Sequence, residues 1–501
     1  MRNASKKRTR RSVRAKTGVP TRASRTAATA LDSFPIVGVG ASAGGLEAFR
    51  QLLGALPTDT GMAYVLVQHL DPHHESILAE LLSEATRMEV SEVQGDVRVE
   101  PNRVYVIPPT KDMVLAGGML KLVPRASRGA AHMPIDSFLK TLADVQGSQA
   151  IGVILSGMGS DGTLGLQAIE AEGGIALVQE PNSARNGDMP RSAIAAGGVD
   201  FVLAPEDIAR ELERLGKHPY LAVRNGAGVA ASEPVGTKDD DNPDEERVLA
   251  KVLSLLLKAS GTDFSAYKKT TLRRRIARRM AVSRIETLDE YAMHLESNAA
   301  EAKALYDDCL ITVTSFFRDP QVFQALSEQV LPVLLKDRPP DEPLRLWVAG
   351  CATGEEVYSI AMCLLERTAA LSRNPSLQIF ATDLSESALA KARDGTYLAN
   401  IARDVSPERL RRFFTKVNGQ YQISKAIREM CVFARHDLTS DPPFSRLDFI
   451  SCRNVLIYLE PRLQEAVFET FHYALRPNGF LLIGPAETAG PIKRNPFGRS
   501  A

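Results

Sequence analysis

The chain has 501 residues, 44% of them hydrophobic and 24% charged. That is the composition of globular protein, but too long for one hydrophobic core, so two or three domains are expected. No apolar run approaches the ~20 residues of a membrane-spanning helix, and a soluble, cytoplasmic protein is the expectation. The net charge of +1 hides an asymmetry: the first 30 residues carry ten basic and no acidic side chains, leaving the remainder at −9. A basic tail on a mildly acidic body does not mark a dedicated nucleic-acid binder.

Residues 1–33 read as a disordered basic tail, because Ser, Thr, Arg and Ala cannot bury enough apolar surface to fold. No apolar stretch follows Arg10-Arg11, so no export signal is expected. Residues 34–216 alternate short apolar runs (Pro35–Val39, Ala63–Val67, Val104–Ile107, Ile151–Leu155, Ile175–Val178) with helical stretches, the pattern of a doubly wound parallel sheet. Residues 217–246 read as a linker. Residues 247–330 are helical in pattern, and 331–501 form a second α/β region with runs at Leu346–Val348, Ile379–Ala381, Val432–Ala434, Phe449–Ser451 and Phe480–Ile483. The predicted fold class is therefore α/β, with two doubly wound parallel-sheet domains, the second preceded by a small helical domain. Cys309, Cys351, Cys363, Cys431 and Cys452 fit neither a zinc pattern nor a disulfide framework, and reduced thiols are expected.

The first strand runs into Gly38-Val-Gly-Ala-Ser42-Ala-Gly-Gly45, which fits both a dinucleotide-binding turn and a nucleophile elbow. The next strand ends in Gln68-His69 rather than in the acid that would hold a ribose. The fourth run ends in Leu155-Ser-Gly-Met-Gly-Ser-Asp161-Gly162. Ser42, His69 and Asp161 thus each fall just past the carboxyl end of a strand, where parallel sheets place their active sites. A triad is one reading, in which histidine takes the serine proton and aspartate orients the imidazole. The plainer alternatives are an N-cap for Ser42, a metal site or solvated loop around His69, His73 and His74, and a turn for Asp161. No metal ligand is assigned.

Gly40-Ala-Ser-Ala-Gly-Gly45, Gln68-His69, Gly157-Met-Gly-Ser-Asp-Gly162, Pro181-Asn-Ser-Ala184 and Asp188-Met-Pro-Arg-Ser-Ala-Ile194 resemble the chemotaxis methylesterase family (CheB) over about residues 34–215. The resemblance implies hydrolysis of glutamyl methyl esters, and often deamidation of glutamine, on chemoreceptors. It makes Ser42 the nucleophile, His69 the general base, Asp161 its orienter and the Met158 backbone a part of the oxyanion hole. Two positions depart from the family, Ala43 where Thr is frequent and Asp112 where His is common. The 33 residues before Phe34 are too few for the receiver domain of about 120 residues that usually precedes this family, so phosphorylation control in cis is not expected.

In the second region, Leu346-Trp-Val-Ala-Gly350-Cys-Ala-Thr-Gly354-Glu-Glu356 opens a strand–turn–helix, and the following strand ends in Asp383, suited to ribose hydroxyls. The acids disfavour a pyrophosphate and favour a cationic cofactor with a ribose, which S-adenosylmethionine is. Leu475–Gly484 resembles the closing hairpin of class I methyltransferases, whereas Asp441-Pro-Pro-Phe444 is read as a loop turn. Thr312-Val-Thr-Ser-Phe-Phe-Arg318, Thr353-Gly-Glu-Glu356, Asp383 and Cys452-Arg-Asn-Val-Leu-Ile-Tyr458 resemble the chemotaxis receptor methyltransferase family (CheR) over about residues 247–492. That resemblance implies methylation of receptor glutamates. It places Thr312, Thr314, Arg318, Glu356, Asp383, Asp437, Leu438, Arg453 and Asn454 along the cofactor, with Arg318 and Tyr458 nearest the chemistry. Thr312 and Asp437 both replace a family Asn.

The seven basic residues of Lys268–Arg279 lie on an apparent helix. A solvated face and nucleic-acid contact are the plainer readings; the resemblance favours docking on acidic receptor helices. Methyl-accepting chemoreceptors or similar signalling proteins are thus the expected partners, with membrane contact only through them and no nucleic acid. The competing reading is a signalling scaffold in which one or both sites do not turn over, or a methyltransferase with another substrate.

Overall fold

The computed structural model describes residues 34–69, 76–125, 132–221, 243–336, 339, 342–369 and 376–488. The expected basic tail, His73, His74 and residues 222–242 of the expected linker lie outside them.

The first unit contains β1 (Ile36–Ala41), β2 (Ala63–Gln68), β3 (Glu89–Glu92), β4 (Val97–Arg98), β5 (Arg103–Val106), β6 (Lys111–Ala116), β7 (Met119–Pro124), β8 (Ala150–Ile154), β9 (Ile175–Gln179) and β10 (Phe201–Leu203). Seven of these form one parallel sheet in the order β10-β9-β8-β1-β2-β5-β3. A small antiparallel sheet of β4, β7 and β6, not anticipated from the sequence, stands beside it. The helices are α1 (Gly45–Ala55), α2 (Leu78–Ser83), α3 (Pro134–Gln146), α4 (Thr163–Ala171), α5 (Asp188–Ala196) and α6 (Pro205–Lys217). Helices α1, α2 and α6 cover one face of the sheet through Phe49, Leu52, Leu78 and Leu212, and α3, α4 and α5 cover the other through Phe138, Leu166, Ile169 and Met189. Each such side chain contributes roughly 1.5–3 kcal/mol on leaving water.

Strand β1 shows how the pleat sorts residues. Val37, Val39 and Ala41 face α1, while Gly38 and Gly40 face α3. A Cβ at Gly38 would come within 2.6 Å of Leu139 and one at Gly40 within 2.3 Å of Ile135. These two glycines therefore bring a helix close to the sheet; they are not the phosphate-binding turn that their spacing also fitted.

The second unit opens with α7 (Pro243–Ser260), α8 (Lys269–Val282), α9 (Leu288–Ser297) and α10 (Ala299–Cys309), packed around Leu249, Val252, Leu272, Ile276, Tyr291 and Leu305. Thr287 and Asn298 cap α9 and α10 by accepting backbone N–H groups of the first turns. There follow α11 (Pro320–Ala325), α12 (Leu331–Leu335), β11 (Leu344–Ala349), α13 (Glu355–Thr368), β12 (Leu377–Asp383), α14 (Glu386–Asp394), β13 (Thr396–Tyr397), α15 (Pro407–Phe413), β14 (Phe414–Val417), β15 (Gln420–Ile423), α16 (Lys425–Arg428), β16 (Cys431–Arg435), β17 (Leu447–Cys452), α17 (Pro461–Ala474) and β18 (Leu475–Ile483). A five-stranded parallel sheet runs β16-β12-β11-β17-β18, with β13, β15 and β14 forming a separate antiparallel sheet. The strand order turns around between β11 and its neighbours β12 and β17, the place where open sheets accept ligands. Leu475–Ile483 differs from the hairpin expected there. It pairs parallel to β17, with a register shift between Leu447 and Phe449, and Asn478 takes a left-handed φ of 67°, so the Pro-Asn-Gly punctuation makes a bulge rather than a reversal. Asp441–Phe444 is a loop, with Phe444 stacked on Phe380.

Candidate active sites

At the first site β1 delivers Ser42, β2 delivers His69, and the loop before α4 delivers Asp161. His69 Nδ1 stands 3.3 Å from Ser42 Oγ, and His69 Nε2 stands 3.0 Å from Asp161 Oδ2. The second contact is within ion-pair range but not aligned for a straight hydrogen bond, leaving Nε2 without a hydrogen-bond partner. Asp161 is only 2% exposed and is fixed from behind. Its two oxygens accept the backbone N–H groups of Ile135 (3.0 Å) and Asp136 (2.9 Å) at the start of α3, where the helix dipole favours a negative charge. Asp136 is itself buried and accepts Gly165 N–H at 2.8 Å. Burial first, then the neighbouring Asp161 charge, pushes the Asp136 carboxyl up to about 7.

The serine turn is held by residues whose part was not read from the sequence. Ser42 N–H donates to Ser156 O (2.9 Å), while Ser156 Oγ (2.8 Å) and Asn186 Nδ2 (3.1 Å) both donate to Ala43 O. Gly44 has φ 80°, and a Cβ there would lie 2.7 Å from Ser156 Oγ and 2.8 Å from Arg185 Cβ, so only glycine fits. Asn186 lies between the Pro181–Ala184 and Asp188–Ile194 motifs, in neither of them. Met158 is exposed at 61%, in the turn whose Gly157 N–H is occupied by Asn186 O. Asp112, the departure noted above, lies 2.6 Å from His132 Nε2, and the His132 ring is 6.0 Å from that of His69.

The second site is built at the carboxyl edge of β11, β12 and β17, and its residues fall into two groups. In one, Glu356 accepts from Ser451 Oγ (2.6 Å) and Arg453 Nη1 (2.9 Å). Arg453 also donates to Arg318 O (3.0 Å) and Asp319 (2.7 Å). Burial, opposed by the Arg453 charge, holds the Glu356 carboxyl above the usual range. Glu356 and Arg453 thus pair with each other and brace the Arg318–Asp319 turn through the two Nη groups, while Arg453 Nε is buried without a hydrogen-bond partner. In the other group, Asp383 accepts only backbone N–H groups, from Ala352 (2.8 Å) and Ser385 (2.9 Å), and burial raises its carboxyl. Burial first, then the Asp437 charge, with smaller contributions from groups including Asp383, pushes the Tyr267 hydroxyl up. Asp437 Oδ1 is engaged with Thr439 N–H (2.8 Å) and Oγ1 (2.6 Å), beside half-buried Leu438. Thr312 and Thr314 are half-buried on the segment after α10, Arg318 is exposed with Nη1 on Val313 O (3.2 Å), and Asn454 adopts φ 60°. Tyr458 lies near Arg275, Glu172, Arg318 and Arg274, its hydroxyl raised by burial. The donor set fits S-adenosylmethionine: Asp383, held by N–H donors and without a cationic side-chain partner among the described residues, suits ribose hydroxyls, and the acid-rich rim suits a sulfonium.

The basic segment departs from expectation. Arg275 and Arg278 on α8 are 0% and 1% exposed, buried against the first unit rather than offered to a receptor. Arg275 donates to Glu170 O (2.7 Å) and to Ala171 O, at the carboxyl end of α4. Arg278 donates to Gly174 O (2.8 Å), grips Asp200 through both carboxylate oxygens (2.9 and 2.8 Å) and pairs with Asp308. Arg279 is paired with Glu301, and Arg273 and Lys269 with Glu246. The helix carbonyl end and Asp200 supply the negative charge that buried guanidiniums require.

Residues 37–212 match the CheB methylesterase family, residues 247–310 the all-alpha domain of CheR methyltransferase, and residues 312–497 its SAM binding domain. The chain is similar to a chemotaxis protein methyltransferase of Listeria monocytogenes, at 34% identity over 49% of this chain and 91% of that protein. It is similar to the “Putative protein-glutamate methylesterase/protein-glutamine glutaminase” of Leptospira interrogans, at 34% identity over 36% of this chain and 95% of that protein. An uncharacterized 104.1 kDa protein of Rhodobacter capsulatus is 41% identical over 82% of this chain, which spans only 44% of that protein's length. The matched families are those of a methylesterase and of a methyltransferase, and S-adenosylmethionine is the cofactor of the second half. The chain belongs to the CheB methylesterase and the CheR methyltransferase families at once, the first unit joined to the second in one polypeptide.

Proposed function

We propose that this protein both removes and adds methyl groups on glutamate side chains of chemoreceptor-type proteins in the cytoplasm, with residues 34–216 as the hydrolase, 247–330 as the helical part of the methyltransferase and 331–501 as its cofactor-binding part. The observation that carries the reading is His69, 3.3 Å from Ser42 Oγ and 3.0 Å from Asp161 Oδ2. In hydrolysis the Ser42 proton passes to His69 Nδ1 as Oγ attacks the ester carbonyl. The Met158 N–H supports the oxyanion, a contribution of roughly 2.7–4 kcal/mol per donor in measured cases. His69 then gives the proton to the leaving methoxide, and water repeats the cycle on the acyl-serine to leave glutamate. Glutamine enters by the same route with ammonia as leaving group.

For transfer, bound S-adenosylmethionine supplies an electrophilic methyl group. The glutamate acceptor is already ionised at neutral pH, given its pKa of about 4.3, so no strong base is required and positioning dominates. Asp383 would hold ribose hydroxyls, and Asp437, Leu438, Asn454, Thr312 and Thr314 would line the cofactor. Arg318 and Tyr458 would lie nearest the chemistry, and the Glu356–Arg453 pair braces the Arg318 turn.

Purified chain offered esterified and unesterified receptor segments tests both halves. Ser42→Ala is expected to abolish methanol release while transfer of radiolabelled methyl persists. Persistent methanol release from Ser42→Ala rejects the hydrolase assignment. Absence of transfer to any protein glutamate leaves the scaffold reading for the second half.

A further inference from the structure

The cavity beside Ser42 carries positive charge that the hydrolysis mechanism does not use. It encloses about 610 Å³ and is walled by Ser42, His69, the first turns of α1 and Arg185. Arg50, on α1, and Arg185, on the segment after β9, are both exposed on its rim. Neither forms an ion pair among the described residues. The one acid on that rim, Glu47, accepts a hydrogen bond from Gln51 at 3.1 Å. The stem of Arg185 passes beside the serine turn, its Cβ and Cδ lying 2.8 and 3.3 Å from where a Gly44 Cβ would stand, on the same pocket as Ser42.

Charge elsewhere makes this rim distinctive. The chain beyond its first 30 residues is net acidic, and the arginines of α8 best suited by number to meet an acidic partner are consumed internally, Arg275 and Arg278 at the seam and Arg279 on Glu301. Two unpaired guanidiniums at the mouth of a polypeptide-sized cavity favour carboxylates next to the group being hydrolysed. We propose that Arg50 and Arg185 form a docking edge that recognises acidic residues flanking the modified glutamate, making the hydrolase selective for acidic polypeptide segments. The inference rests on the reading of Ser42 as the nucleophile.

The test compares the full chain with its Arg50→Ala/Arg185→Ala double variant on three substrates: p-nitrophenyl acetate, a peptide with a γ-methyl glutamyl ester flanked by glutamates, and the same ester flanked by lysines. Exposed charge pairs are individually weak, so a fall of about fivefold in kcat/KM is expected for the glutamate-flanked peptide, carried by KM. Added salt should lower the wild-type rate on that peptide but not the variant's. Hydrolysis of p-nitrophenyl acetate should be unchanged, and the lysine-flanked peptide should be unchanged or improved. An unchanged glutamate-flanked rate overturns the proposal, as does an equal fall on all three substrates. Failure of the underlying reading shows separately, as p-nitrophenyl acetate hydrolysis that survives Ser42→Ala.

Discussion

The two parallel sheets bring polar side chains to the same carboxyl edge and put them to different use. At the first, Ser42 and His69 remain half-buried, and the fixed element is Asp161, locked by two backbone N–H groups from α3. At the second, Glu356, Arg453, Asp319 and Ser451 are bound mainly to one another, while Asp383 is held by backbone N–H groups and Arg318 is exposed. The difference follows from the chemistry each family performs. A hydrolase must keep a base free to accept and return a proton. A site whose reactive group arrives with the cofactor needs a rigid frame more than a reactive side chain.

The contrast is sharpest at Asp161. Asp161→Asn keeps an acceptor for one of the two α3 N–H groups but removes the charge beside His69, and ester hydrolysis should fall about 10³–10⁴-fold. Methyl transfer should be unaffected, and a comparable loss of transfer in that variant would erase the separation between the sites. The seam is the next place to press. Arg278→Ala strands Asp200 and Asp308 without their buried partner, at a cost of about 3–5 kcal/mol. Urea unfolding followed separately by loss of each activity should show both halves weakened; a shift in only one would mean that the halves do not share this interface in solution.

Asp383→Ala should weaken cofactor binding about tenfold to a hundredfold, the loss of a charged hydrogen-bond acceptor to hydroxyls, with hydrolysis unchanged; equilibrium dialysis with labelled S-adenosylmethionine measures it. The smallest effect concerns Asp136. Its carboxyl is raised from an ordinary 3.8 to about 7 by burial and by Asp161, so the folded chain retains a proton that the unfolded chain has released. Stability on this account is greatest below the ordinary value and declines as pH rises through about 7. Asp136→Asn, which keeps an oxygen for Gly165 N–H, should raise Tm by a few degrees at pH 8 and leave it unchanged at pH 4. An equal shift at both pH values would remove the ionisation argument.

Much of this was legible in the sequence because parallel strands buried on both faces leave continuous apolar runs. The runs from Ala63 and Ile175 coincide with β2 and β9. The edges were harder: the antiparallel strands Lys111–Ala116 and Met119–Pro124 carry charges and weak periodicity, and Leu475–Ile483 contains turn residues that here make a bulge. Local signals of that kind do not say which strand will be the neighbour.

By itself, the sequence determined the element order, the class of both sheets, and the strand-end positions of Ser42, His69, Asp161 and Asp383, because each depends on residues close along the chain. Tertiary structure alone decided that Gly38 and Gly40 admit α3, that Asn186 and Ser156 hold the serine turn, and that Arg275 and Arg278 join the two halves. The physical reason is that an arginine on an amphipathic helix looks the same in sequence whether it meets solvent, a partner or the end of another helix. Only the packed fold brings the α4 carbonyls and Asp200 to the seam, and with them the counter-charge that turns an apparent docking face into an internal joint.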